Sequence, residues 1–132
     1  MNPTRQQIET LIRTAAPTVG VDPELAIRQC AAESSFRVDA KSPCVALGLF
    51  QLTPATAKQM GVNPARWQEN VMGGLKYMAW LLHHYGGDAA RAYAAYNWGL
   101  GNLDKLLHAH PNDWRNHLPA ETRGYLRKIV EI

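Results

Sequence analysis

The chain is organised around residues 30–51, which read CAAESSFRVDAKSPCVALGLFQ. Upstream of this stretch, Asp22 followed by a proline predicts the start of a helix, because aspartate caps helices and proline fits the first helical position. In that helix Ala26, Cys30 and Glu33 fall on one stripe. Glu33 is therefore expected at the end of an inward-facing surface, near the negative end of the helix dipole.

Glu33 is a candidate acid catalyst. Partial burial and the negative end of a helix both favour the protonated form of a carboxyl group. A glutamate that keeps its proton near neutral pH can act as a general acid. From the spacing alone, a glutamate that simply points to water is the more ordinary interpretation. The sequence that follows Glu33 decides between the two.

Four blocks of sequence follow one another in an order typical of one enzyme family. They are ESSF (33–36) with SPCVALGLFQLTP (42–54), NVMGGLKYM (70–78), AAYNWG (94–99) and LPAETRGYL (118–126). Together they resemble the soluble, Slt-like lytic transglycosylases, which share a lysozyme-like fold with goose-type lysozymes. The resemblance extends over roughly residues 20 to 130. Four blocks in order are much more specific than any one of them.

The resemblance implies an all-α, lysozyme-like single domain over residues 1–132, with about seven helices around a glycan-binding cleft. It implies cleavage of the β-1,4 bond between N-acetylmuramic acid and N-acetylglucosamine in peptidoglycan, with Glu33 acting first as acid and then as base. The product would carry a 1,6-anhydro ring, and the Tyr96 hydroxyl would lie near Glu33. The matching substrate-binding positions are Ser34, Gln51, Tyr96, Asn97, Glu121 and Tyr125.

Three positions depart from the family pattern. Val45 stands where the family commonly has glycine, so the turn there is expected to differ. Leu47 replaces a small or polar residue, which puts one substrate contact in doubt. Trp98 replaces an alanine, and its ring would either stack on a sugar or fill the core.

Two other functions fit the same fold. A hydrolytic muramidase would cleave the same bond with water, and a non-catalytic subunit would bind peptidoglycan without cutting it. The intact Glu33 argues against the second alternative, since a binding module needs no buried acid.

Composition restricts the class of protein. The 132 residues are 46% hydrophobic and 19% charged, which excludes a disordered chain. No apolar run reaches the roughly 18 residues that a membrane span needs. The net charge of +3 favours approach to an anionic polymer but is too small to indicate nucleic acid. No signal peptide is visible, so a monomeric phage lysis protein, a virion component or a secretion-system accessory acting on the cell wall is expected.

The sequence indicates neither a metal site nor a cofactor, and it leaves the state of the two cysteines open. The five histidines match no zinc motif such as His-Glu-x-x-His, so neither a metal nor a cofactor is predicted. Cys30 and Cys44 flank the motif turn, and a disulfide between them is conceivable. A buried, reduced Cys30 acting as a small hydrophobic residue is the other interpretation.

Caps and breaks predict the helices. Thr4 to Gln7 reads as a capping box that opens the first helix. The longest helix is expected from about Asn70 to Tyr85. Gly99 and Gly101 are expected to end the next helix. The remaining helices are predicted near 23–35, 53–60, 103–107 and 120–130.

Overall fold

The computed structural model describes residues 2–130, and it confirms the all-α fold. Extended structure within these residues amounts to isolated bridges from Leu47 to Lys41 and to Leu52. No helix in this part of the chain is long and apolar enough to cross a bilayer. The seven α-helices are α1 (Arg5–Ala15), α2 (Pro23–Ser34), α3 (Pro54–Met60), α4 (Trp67–His84), α5 (Ala89–Trp98), α6 (Leu100–Ala109) and α7 (Ala120–Ile129).

The chain divides between Ala79 and Trp80 into two compact units. The first unit contains α1 to α3 and most of α4, and the second contains α5 to α7. The expected single domain over residues 1–132 extends past the described residues at both ends, and it stays a prediction.

The first unit is built on α1 and α2, which pack against each other. The Thr4 hydroxyl accepts a hydrogen bond from the Gln7 backbone amide, and the Thr4 backbone amide donates one to Gln7 Oε1, so the predicted capping box is present. Ile8 and Ile12 of α1 are fully buried. The inward stripe of α2 is buried as expected, with Ala26 and Cys30 at 0% exposure.

The second unit is built on α5, which packs against both α6 and α7. Asp88 caps α5 by accepting a hydrogen bond from the Arg91 amide. The small side chains of this helix let its neighbours approach closely, and Leu103 and Leu126 are almost completely buried beside them. The alanines of α5 that are buried are Ala90, Ala92, Ala94 and Ala95.

Two sequence expectations about helix bounds are wrong. α4 begins at Trp67 rather than Asn70, and the Asn70 amide already bonds to the Arg66 carbonyl at 2.8 Å. Gly101 does not break a helix but lies in the first turn of α6. A glycine is tolerated there because first-turn amides have no partner within the helix. Only Gly99, with φ +103°, separates α5 from α6.

Candidate active site

Glu33 is the last residue but one of α2, and its side chain is half-buried. The helix ends at Ser35, which adopts the left-handed conformation (φ 52°) and whose amide bonds to the Ala31 carbonyl. The Glu33 carboxyl group therefore belongs to the last turn, at the negative end of the helix. This position agrees with the predicted environment of the acid.

The segment that follows Glu33 has an unusual backbone. Four non-glycine residues of the described chain have positive φ, namely Ser35, Phe36, Val45 and Gln51, and all of them lie in residues 35–51. A left-handed conformation costs a non-glycine residue about 1–2 kcal/mol. Such strain concentrates at functional sites, where the surrounding structure holds the backbone in place.

Gln51 is part of the framework of this loop. Its side-chain Nε2 donates to the carbonyls of Ala40 (3.1 Å) and Gly48 (3.0 Å), so both of its hydrogens are used. The Gly48 amide also donates to the Ala40 carbonyl at 2.8 Å. The group of Gln51 that remains for a ligand is therefore its Oε1, which can only accept a hydrogen bond.

Asn70 connects the loop to α4. Its Oδ1 accepts the Phe50 amide at 2.8 Å, and its Nδ2 donates to the carbonyls of Leu47 (2.8 Å) and Pro64 (3.0 Å). The residue is 0% exposed. One buried side chain thus bonds to three backbone groups of irregular segments, although the Leu47 carbonyl also accepts the Leu52 amide at 2.9 Å.

Two adjacent glycines let the loop lie directly on α4. A Cβ atom on Gly74 would lie 2.5 Å from Cβ of Phe50, and one on Gly73 would lie 2.8 Å from Leu52. Glycine inside a helix costs about 1 kcal/mol relative to alanine. The close approach of the loop is the physical reason for this pair.

Val45 keeps the conformation that a glycine would adopt. Its φ is +64°, and its side chain is 48% exposed. The residue type at this position predicts a turn that differs from the family pattern. The backbone, however, takes a left-handed conformation that suits glycine. The turn is closed by Ser42, whose hydroxyl accepts the Ala46 amide at 3.1 Å.

Ser34 and Cys30 are coupled on the buried side of α2. The Ser34 hydroxyl donates to the Cys30 carbonyl at 3.1 Å, the bond to the carbonyl four residues back that serine often makes inside a helix. Burial raises the pKa of the Cys30 thiol to about 12. Cys44 is exposed, and both cysteines are free. The conceivable disulfide is therefore not formed, and Cys30 behaves as a small buried hydrophobic residue.

The second unit holds the other four predicted substrate residues on two packed helices. Tyr96 and Asn97 lie near the end of α5, and Glu121 and Tyr125 lie on α7. Tyr125 is 7% exposed and Glu121 is exposed. The two helices are joined where the buried Thr122 hydroxyl donates to Asn97 Oδ1 at 2.9 Å.

The predicted residues thus fall into two groups. Glu33, Ser34 and Gln51 belong to the first unit, and the other four belong to the second. The expected proximity of the Tyr96 hydroxyl to Glu33 stays a prediction. Trp98, half-buried at the end of α5, accepts a hydrogen bond from Asn102 through its carbonyl.

Sequence reasoning missed the residues that shape the loop. Asn70 was seen only as part of a motif, although it makes three hydrogen bonds to the backbone. The sequence feature that could have identified this residue is an amide side chain next to an apolar helical stripe. The adjacent glycines 73 and 74 were a second signal, because paired glycines inside a helix usually indicate close contact.

Comparison with known proteins places these features in a family. The Transglycosylase SLT domain model matches residues 10–117. The chain is 30% identical over 131 residues to peptidoglycan transglycosylase gp16 of Escherichia phage T7, covering 92% of this chain and 10% of the relative. It is 35% identical over 121 residues to membrane-bound lytic murein transglycosylase F 1 of Alkalilimnicola ehrlichii, covering 80% of this chain and 24% of the relative.

Two solved structures are similar in fold. The 70 kDa soluble lytic transglycosylase Slt70 from Escherichia coli superposes with a TM-score of 0.84 at 23% identity, over 92% of this chain and 22% of that one. An inactive glutamate-to-glutamine mutant of lytic transglycosylase Slt from Pseudomonas aeruginosa gives 0.80 at 26% identity, with the same coverage of both chains. This chain thus spans a quarter or less of these relatives and structures. Because the family model matches most of its length, the chain belongs to the transglycosylase SLT domain family.

Proposed function

We propose that this chain is a lytic transglycosylase that cleaves the β-1,4 bond between N-acetylmuramic acid and N-acetylglucosamine in peptidoglycan. The observation that carries the proposal is the half-buried Glu33 in the last turn of α2, two residues before Ser35 and three before Phe36, which both have positive φ. Relatives that are named peptidoglycan or murein transglycosylases support the choice of substrate. The inactive glutamate-to-glutamine mutant of the Pseudomonas aeruginosa protein supports a glutamate as the essential group.

The reaction uses one carboxyl group twice. Protonated Glu33 donates its hydrogen to the glycosidic oxygen as the bond from C1 to that oxygen breaks, and an oxocarbenium-like centre develops at C1. The Glu33 carboxylate then takes the hydrogen of the muramic C6 hydroxyl, and that oxygen attacks C1. The products are a 1,6-anhydro-N-acetylmuramic end and an N-acetylglucosamine with a free 4-hydroxyl. No water is consumed, and Glu33 regains its proton.

An internal nucleophile removes the need for a second catalytic carboxylate. The C6 hydroxyl belongs to the same sugar as C1, so its effective concentration is high. Gln51 contributes an acceptor, Oε1, for an N-acetyl or hydroxyl hydrogen, and the rigid loop fixes its position. Ser34 supports the end of α2 behind Glu33 through its bond to the Cys30 carbonyl.

The second unit contributes the remaining contacts in this proposal. Tyr96 and Tyr125 offer aromatic faces and hydroxyls, which suit sugar rings. Asn97 holds α5 against α7 through Thr122 and so positions both tyrosines. Glu121, which is exposed in the first turn of α7, is the other carboxylate of the matched blocks and is assigned a supporting role in substrate binding.

The protein acts on the cell wall in this proposal, as a monomer and without nucleic acid. Its likeness to gp16 of phage T7 favours a phage enzyme that opens the wall during infection or lysis. The net charge of +3 helps it approach the anionic polymer.

Replacement of Glu33 by glutamine tests the proposal. Glu33→Gln keeps the shape of the side chain and removes the proton donor, so release of soluble fragments from purified sacculi should fall by about 10²–10⁴-fold. Glu24→Gln is the matched control, since it makes the same change in the exposed first turn of the same helix. It should retain activity within about twofold, because its ion pair with Arg13 is exposed.

Mass spectrometry of the fragments separates the alternatives. Anhydro-muramic ends are expected, whereas reducing muramic ends would identify a hydrolytic muramidase. A wild-type chain that sediments with sacculi but releases nothing would identify a binding subunit. Activity of Glu33→Gln equal to that of wild type would falsify the assignment of the acid.

A further inference from the structure

A cluster of metal-ligating side chains lies in the second unit, on the segment that joins α6 to α7. His110 caps the end of α6, Asp113 lies in the following turn, and His117 ends a 3₁₀ turn over Trp114–His117. One potential ligand atom from each residue lies within 4.8 Å of those of the other two. The spacing of these histidines matches no established zinc motif, so the sequence predicted no metal.

The spacing between the ligand atoms suits one small cation. His110 Nδ1 lies 3.4 Å from Asp113 Oδ1, and His117 Nε2 lies 3.0 Å from Asp113 Oδ2. Zinc binds imidazole nitrogens and carboxylate oxygens at about 2.0–2.2 Å in tetrahedral geometry, which places neighbouring ligand atoms about 3.3 Å apart. The two nitrogen-to-oxygen separations are close to that value, and the ligand atoms of the two imidazoles lie within 4.8 Å of each other.

The two imidazole rings are stacked, so at least one of them must rotate before the in-plane lone pairs of both can meet at one ion. Their centroids are 3.6 Å apart, and the ring planes differ by 19°. A neutral imidazole carries its hydrogen on either ring nitrogen, so the nitrogen that faces Asp113 can present a lone pair once the hydrogen moves to the other nitrogen.

The backbone of the segment is held in place independently of any ion. Pro111 prevents continuation of α6 beyond His110. Trp114 is 6% exposed, and the guanidinium groups of Arg91 and Arg115 lie over its ring, 5.7 Å and 5.4 Å from the ring centroid. The ligand side chains remain accessible, with exposures of 39% for His110 and 41% for His117. The segment that carries the cluster is therefore held in place, and the ligand side chains are open to solvent.

We propose that His110, Asp113 and His117 form a binding site for one divalent transition-metal ion of the zinc class. Two imidazoles and one carboxylate form a borderline ligand set, which favours Zn²⁺, Ni²⁺ and Cu²⁺ over Mg²⁺ and Ca²⁺. Three protein ligands leave the fourth position to water. The bound ion ties the end of α6 to the 3₁₀ turn. This inference does not depend on the proposed enzymatic activity.

Zinc titration of the chain, stripped with EDTA and dialysed, tests the site. All proteins carry Cys44→Ser, because the exposed Cys44 thiol would otherwise compete for zinc. Calorimetry with ZnCl2 should give one ion per chain, and saturating zinc should raise Tm by about 5 °C, since binding to the native state stabilises it. MgCl2 should leave Tm unchanged.

Matched variants separate the cluster from ordinary surface histidines. His117→Ala and Asp113→Asn should each reduce zinc affinity at least tenfold and remove most of the Tm rise. His108→Ala changes an exposed histidine in the last turn of α6, and it should retain both the zinc affinity and the Tm rise. Histidine NMR should show the imidazole signals of residues 110 and 117 shifting with zinc while His83 is unaffected. Zinc binding that survives both ligand variants, or no binding by the wild-type chain, overturns the proposal.

Discussion

The loop 35–52 and the α5–α7 pair hold their candidate residues in different ways. The loop contains four strained non-glycine residues, and its polar side chains bond to backbone groups. The α5–α7 pair consists of regular helices, and a hydrogen bond between side chains, from Thr122 to Asn97, connects the two. The loop depends on a few specific polar contacts, whereas the helix pair depends on distributed apolar packing.

This difference predicts different sensitivity to substitution. A loop without a regular hydrogen-bond ladder must satisfy its buried amides and carbonyls through particular side chains. A helix satisfies its own backbone, so a side-chain bond between two helices adds to stability without being essential to either one. Single polar substitutions should therefore damage the loop far more than the helix pair.

The largest effect is expected from Asn70→Ala. It removes the hydrogen bonds of Asn70 to the Phe50 amide and to the carbonyls of Leu47 and Pro64 in a buried position, which should lower the free energy of unfolding by about 3 kcal/mol. Urea denaturation measures this change. Asn116→Ala, at an exposed asparagine, should cost less than about 0.5 kcal/mol. A loss below about 1 kcal/mol for Asn70→Ala would show that the loop does not depend on this side chain.

A smaller loss is expected from Thr122→Val. Valine fills the same space, but Asn97 loses its hydrogen-bond donor, so the free energy of unfolding should fall by about 1 kcal/mol. Thr14→Val on the exposed side of α1 is the matched control and should be close to neutral. If Thr122→Val cost as much as Asn70→Ala, the proposed contrast between the regions would be wrong.

The smallest effect, and the one of opposite sign, is expected from Val45→Gly. Glycine relieves the left-handed strain at this position, but it loses more conformational entropy on folding than valine does. The net effect should raise the free energy of unfolding by about 0.5–1 kcal/mol. Val45→Ala retains a Cβ atom and most of the strain, so it should gain less. Equal denaturation midpoints for the two variants would mean that the backbone at Val45 is not strained.

Local signals predicted most of the helices because their causes lie in adjacent residues. The capping box at Thr4 and the cap at Asp22 both occur where the sequence indicates. Gly101 was misjudged because a glycine is also tolerated in the first turn of a helix, and the sequence does not reveal which end of a helix it occupies.

The sequence by itself determined the all-α fold, the family motifs and the position of Glu33 in the last turn of its helix, since these depend on spacing and on contacts within one or two turns. Tertiary structure decided how Asn70 reaches the backbone across 20 residues to Phe50, why Gly74 must be small, and which histidines meet Asp113. The physical reason is that hydrogen-bond partners and close contacts between distant segments depend on how the elements pack, and residue spacing does not contain that information.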